Sequence, residues 1–177
     1  MVSLTFVLTK QSIMIYKIRI ILDTEEDIFR DVEIEQSSNL EEFHNTITQA
    51  FGFLGDEMAS FYTCDEAWKQ DEEIVLFDMT QDNSKVRLMN ETVLEDVLTE
   101  QSPKMIYVYD FLSMWTFFIE LADISEKEDG RTYPNLLFSF GELPDSPPDK
   151  NFESESTVDL DNTIGNYEDL DFDENWN

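Results

Sequence analysis

The sequence predicts an α+β fold. Residues 105–121, MIYVYDFLSMWTFFIEL, gather more β-branched and aromatic side chains than any other short stretch. Within it Ile106 and Val108 alternate with Met105, Tyr107 and Tyr109, and after a break at 110–114 Trp115, Phe117, Ile119 and Leu121 alternate with Thr116, Phe118 and Glu120. Period-two alternation on both sides of a polar break predicts a hairpin. The second observation is a helical repeat at 39–51, and the third is a further pair of alternating runs at 13–22 and 28–34. Asp110 and Glu120 inside the central stretch, with few basic residues to anchor its ends, argue against a membrane span.

Taken in order, residues 1–12 hold an apolar run with no positive residue ahead of it and no small-residue cleavage pattern behind it, and are read as a leader segment rather than a signal peptide. Residues 13–22 place Tyr16, Ile18, Ile20 and Leu22 on one face of a strand. An acidic turn follows, and 28–34 puts Ile28, Val32 and Ile34 on one side of a second strand together with Arg30. Two readings of Arg30 stay open: an edge arginine with a buried stem and a solvated head, or a cation aimed into a pocket.

Ser38 and Glu41 have the spacing of a capping box, Leu40, Phe43, Ile47 and Phe51 form an apolar stripe, and Gly52 supplies a left-handed stop. These predict a helix over 39–51. Residues 58–64 read as a strand, 65–73 as a polar loop, 74–77 as a short apolar run, 80–85 as a linker and 86–88 as a brief pairing segment. Val93, Leu94, Val97 and Leu98 predict a second, short helix over 91–98. The domain reading is a leader at 1–12, one α+β domain at 13–144 and an acidic extension at 145–177.

Charge and motifs exclude several functions. With 40 acidic against 11 basic residues the net charge is −29, which repels phosphate backbones and anionic lipid surfaces. Direct nucleic-acid and membrane binding are therefore not expected. The single cysteine, Cys64, cannot form an internal disulfide and fits a reducing compartment, so a cytoplasmic location is expected. The single histidine, His44, rules out a two-histidine metal site, and no glycine elbow supports a Cys64–His44 catalytic pair. There is no glycine-rich phosphate loop, no H-E-x-x-H and no C-x-x-C. An EF-hand register beginning at Asp159 fails, with Ile164 where glycine is needed and Leu170 where the bidentate glutamate is needed. No catalytic, cofactor-binding or metal-binding residues are assigned.

The order of motifs resembles the plasmid-Ri open-reading-frame-three-like family, also called the insertion-element passenger TnpR family. The residues that carry the resemblance are Ile28-Phe29-Arg30, the helix from Leu40 with its aromatic-Gly-aromatic end at Phe51-Gly52-Phe53, Val86-Arg87-Leu88, the hairpin from Tyr107 to Leu121 and Tyr133-Pro134. Coverage is roughly residues 15–148. Where many members read Asp-Phe-Gly-Asp-x-Trp and then a histidine, this chain reads Asp110-Phe111-Leu112-Ser113-Met114-Trp115 and then Phe117. The resemblance implies an α+β fold with one mixed or antiparallel sheet and helices to one side, and it implies no established activity. The fold expected for this chain is one mixed or mostly antiparallel sheet with two or three helices packed against it.

Two functions from different classes are expected on these grounds. The first is a non-catalytic interaction or regulatory module, with a basic protein partner engaged through the acidic tail, where Tyr167, Leu170, Phe172 and Trp176 are spaced through Asp and Glu. The second is a small-molecule binder or enzyme with an aromatic-lined pocket around Arg30, Tyr107, Asp110 and Trp115. It requires Arg30 and Asp110 to converge.

Overall fold

The computed structural model describes residues 12–80 and 85–148. Most of the leader segment, the four residues 81–84 and the acidic extension beyond residue 148 lie outside the described residues, as do the EF-hand register and the four spaced apolar residues of the tail. In chain order the elements are β1 (Met14–Leu22), β2 (Phe29–Glu35), α1 (Leu40–Phe51), β3 (Ala59–Cys64), β4 (Gln70–Val75), β5 (Arg87–Leu88), two single 3-10 turns (Met89–Glu91 and Leu94–Asp96), β6 (Lys104–Tyr109), β7 (Trp115–Glu126) and β8 (Asn135–Phe140). All eight strands join one sheet in the order β5-β4-β3-β6-β7-β1-β2-β8, antiparallel except for β4 with β5.

The central hairpin is present, with Tyr109 opposite Trp115 and Met105 opposite Ile119. Tyr16, Ile18, Ile20 and Leu22 face the same side as Phe61, Tyr107, Tyr109 and Phe117, and α1 covers that side. Phe43 stacks on Phe61 with ring centroids 5.4 Å apart, and Phe51 meets Phe117 at 4.7 Å. Burying aromatic pairs of this kind stabilises by about 0.5–1.5 kcal/mol beyond the area removed from water. The other face is thinner: Ile15, Ile106 and Val108 are buried there, and Trp68 folds over from the β3–β4 turn to within 4.8 Å of Phe118.

Two or three helices were expected, and the structure overturns this: the fold is mostly sheet, with one α-helix among the described residues. The predicted second helix at 91–98 is instead two isolated 3-10 turns separated by extended residues. Thr92 and Val93 cannot stay helical because Val93 forms an antiparallel bridge with Asn39, and the Thr92 hydroxyl is tied to the Leu88 carbonyl at 2.8 Å. Long-range pairing overrides a correct local periodicity.

The same bridge moves the cap of α1 by one residue. Asn39, not Ser38, is the N-cap: its side chain accepts from the Glu42 amide at 2.9 Å and Glu42 accepts from the Asn39 amide at 3.0 Å. Ser38 lies in the turn before the helix, its amide bonded to the Glu35 carbonyl and its carbonyl to the Leu94 amide. Gly52 ends the helix at φ 81°, where a side chain is disfavoured. The polar loop expected over 65–73 is also corrected. Asp65 closes a tight turn by accepting from the amides of Ala67 and Lys69, and the chain re-enters the sheet at Gln70. No helix is long and apolar enough to cross a membrane among the described residues.

Candidate interaction surface

The four residues expected to form a pocket are not brought together. Arg30 on β2 shares a row across the sheet with Ile20, Ile119 and Met105, whereas Asp110 lies five residues beyond Met105 at the hairpin turn. Standard strand geometry puts them roughly 14 Å apart across the sheet and about 17 Å apart along it. Each has a structural job instead.

Arg30 is buried and its guanidinium ends on carbonyls. Nε donates to Ala50 O at 3.1 Å, and Nη1 donates to Phe29 O and Phe140 O at 2.9 Å each and to Gly141 O at 3.2 Å. The group also lies over the Phe51 ring, 4.7 Å from its centroid. Burial pulls its pKa down, and the cation is held by the negative end of α1, by the aromatic face and by the end of β8. Neither earlier reading describes it: the head is in neither water nor a pocket. It joins β2, α1 and β8.

Asp110 sits at φ 57° in the hairpin turn. Its Oδ1 accepts from the amides of Leu112 and Ser113, and hydrogen bonding, led by Ser113, holds its carboxyl below the usual range. It takes the turn position that glycine or asparagine more often occupies. Tyr107 is fully buried, with its hydroxyl 2.7 Å from Nδ1 of His44. Trp115 is buried against Phe53, with centroids 5.3 Å apart. His44 is thus a core residue, and burial pushes its pKa down to about 4.

Cys64 lines a cleft of about 640 Å³ between the β3–β4 hairpin and the segment leading into β6. Lys69, Arg87 and Lys104 bring three cations to its walls. Arg87 Nη1 is 2.7 Å from Glu72, and Lys104 Nζ donates to the Glu66 carbonyl at 3.0 Å beneath the Trp68 ring. Burial and the neighbouring Asp65 push the Cys64 thiol up, against the smaller pull of Lys104. A thiol shifted that way is a poor nucleophile at neutral pH. Among the described residues no group of three or more His, Cys, Asp or Glu side chains is placed to hold a metal.

The feature that the sequence reading did not find is β8. It forms the sheet edge next to β2, carries no charged residue and exposes Leu136, Leu137, Phe138 and Phe140 by 41–51%. Phe29 packs beside Phe138 and Phe140 at 5.9 and 5.5 Å, and Arg19 lies 4.2 Å over Phe29 while gripping Asp31 through two hydrogen bonds of 2.8 Å. At the Phe140 end Gly141 has φ 74° and sits so close to the β1–β2 turn that a Cβ would lie 2.7 Å from the Asp27 carbonyl. Exposed Asp27 and Glu142 therefore stand at that end, with exposed Glu25 and Glu26 on the same β1–β2 turn. At the Asn135 end, Lys127 pairs with Glu35, and Arg131 with Glu33 and Glu128.

A sequence profile described as plasmid pRiA4b ORF-3-like protein matches residues 14–147, from the first residue of β1 to beyond β8. The chain belongs to the plasmid pRiA4b ORF-3-like family. A search of curated proteins finds no match. Among solved structures, this family member is similar to the crystal structure of a protein of unknown function, MM3350, from Methanosarcina mazei Go1. The TM-score is 0.64 at 16% identity, over 73% of this chain and 71% of the other. That likeness is one of fold. The exposed edge of this ORF-3-like chain could have been found from NLLFSF, an uncharged run of leucine and phenylalanine soon after Gly130 and Pro134.

Proposed function

We propose that this member of the plasmid pRiA4b ORF-3-like family is a non-catalytic interaction module that takes a basic protein partner. One observation carries the reading: an uncharged, half-exposed apolar edge strand lies beside a group of carboxylates with no ion-pair partner among the described residues. The net charge of −29 adds long-range attraction for a cationic partner and repulsion for nucleic acid. The polar groups a reaction would use, His44, Arg30 and Asp110, have their hydrogen bonds taken up by the fold. A cytoplasmic site of action is part of the proposal, supported by the unpaired thiol of Cys64.

Fluorescence anisotropy of labelled lysine-rich and glutamate-rich peptides, titrated with the full chain at low and high salt, tests the reading. The expected result is binding of the lysine-rich peptide alone, weakening as salt rises. Failure of both to bind would overturn it. The rival small-molecule reading draws its support from the cleft beside Cys64 rather than from Arg30 and Asp110. It would take over if small organic anions raised the melting temperature and Lys104→Met abolished that rise.

A further inference from the structure

Resting on that reading, we propose that the partner binds as a ninth strand along the free edge of β8. It would be an extended segment with apolar side chains at alternate positions and lysine or arginine where it passes the Phe140 end.

β8 pairs with β2 on one side and, among the described residues, with no strand on the other. A row of backbone amides and carbonyls therefore faces outward. Sheet edges are ordinarily protected by shortness, charge, proline or a bulge. At the opposite edge β5 is two residues long. β8 is six residues long, without charge or proline, and of these protections it has one, a bulge or irregularity opposite Asp31 and Val32. Strand addition uses such an edge for affinity and the flanking side chains for selection. Both kinds of contact are available here. Phe138 and Phe140 extend the Phe29 surface on one face. On the other, Leu136 borders a groove of about 150 Å³ against Gln49 and Ala50 of α1.

Charge selects the occupant. Exposed Asp27 and Glu142 stand at the Phe140 end, with Glu25 and Glu26 on the same turn, and Arg30, whose guanidinium reaches the Phe140 carbonyl, is turned inward onto carbonyls. A second copy of the chain would bring another 29 negative charges, and its Lys127 and Arg131 already hold glutamates of their own. A cationic strand gains where a second copy is repelled.

The test is hydrogen exchange on the full chain with a lysine-flanked peptide of alternating valine and threonine. Controls are the glutamate-flanked version and a lysine-flanked version interrupted by proline. The expected result is slowed exchange across residues 135–140 with the first peptide only, and about tenfold weaker binding to Phe138→Lys and to the Glu25→Lys, Glu26→Lys pair. Leu137→Lys replaces Phe138→Lys if the latter lowers the melting temperature. Protection confined to the Cys64 cleft, with Phe138→Lys binding normally, would overturn the edge site and leave the basic-partner reading standing. No binding of any peptide would overturn both. Self-association abolished by Phe138→Lys would make the occupant a second copy. Complete protection of 135–140 in the free chain would make it the chain's own residues. Either result refutes the proposal.

Discussion

The phenol of Tyr107 and Nδ1 of His44 meet at 2.7 Å inside the core, where one hydrogen bond between β6 and α1 settles the only imidazole of the chain. Unfolded, a histidine takes up its proton near pH 6.5, whereas burial holds folded His44 neutral down to about 4. Between those values the unfolded chain binds the extra proton. The stability contributed by neutral His44 is therefore complete above pH 6.5 and is lost as pH falls through that window, by roughly 3 kcal/mol. Chemical denaturation of the wild type and His44→Gln from pH 7 to 4 checks this. The gap between the two curves should narrow on acidification, and curves that stay parallel would refute it.

Arg30→Met should destabilise by about 2–4 kcal/mol, because it leaves buried carbonyls without donors. Arg30→Lys should recover only part, since one ammonium cannot replace a planar fork that serves Ala50, Phe29, Phe140 and Gly141 together. Exchange at β8 should quicken before exchange at β1. Equal acceleration throughout would show that Arg30 does not specifically hold the edge.

Trp115→Ala should cost about 3–5 kcal/mol, as large aromatic truncations in cores do. Trp115 is 7% exposed and packs on Phe53, which in turn touches Tyr109 and Phe117. Urea unfolding with a change under about 1 kcal/mol would contradict its place in the core.

Asn39→Ala should cost about 0.5–2 kcal/mol, and Ser38→Ala should fall within about 0.5 kcal/mol of the wild type. The pair of variants separates the observed cap from its neighbour. A larger loss at Ser38 would reverse the assignment.

The contrast between these two residues indicates what the sequence could reveal. Alternation in β1 was legible because one face is buried against α1 while the other is partly exposed, so burial writes the pattern directly; β6 is buried on both faces and was legible from its β-branched and aromatic side chains. The chemistry of the cap was legible too, since both Ser38 and Asn39 can cap a helix. Which of them does so is decided by the Asn39–Val93 bridge, a contact between residues far apart in the chain. That bridge also broke the helix expected at 91–98. β4 and β8 were illegible for a different reason. The first four residues of β4 are exposed, and β8 is exposed along most of its length, so neither buries a face that could impose a period. The pocket was misread because the sequence supplies residue types but not distances. Arg30 and Asp110 looked like the two halves of a polar site, and each proved to bind backbone groups near its own strand end.

Sheet order and chain order disagree in a way that matters during synthesis. β1 lies between β2, which follows at once, and β7, which begins only at Trp115. At about 5–20 residues per second, the strand that closes the second side of β1 leaves the ribosome roughly 5–20 s after it. β8, which completes β2, comes later still. The nascent chain thus carries a hairpin bare on both sides, with Ile18, Ile20 and Leu22 on it, until nearly the whole described fold has been made. Until then both edges of that hairpin offer unpaired backbone groups to any extended chain nearby.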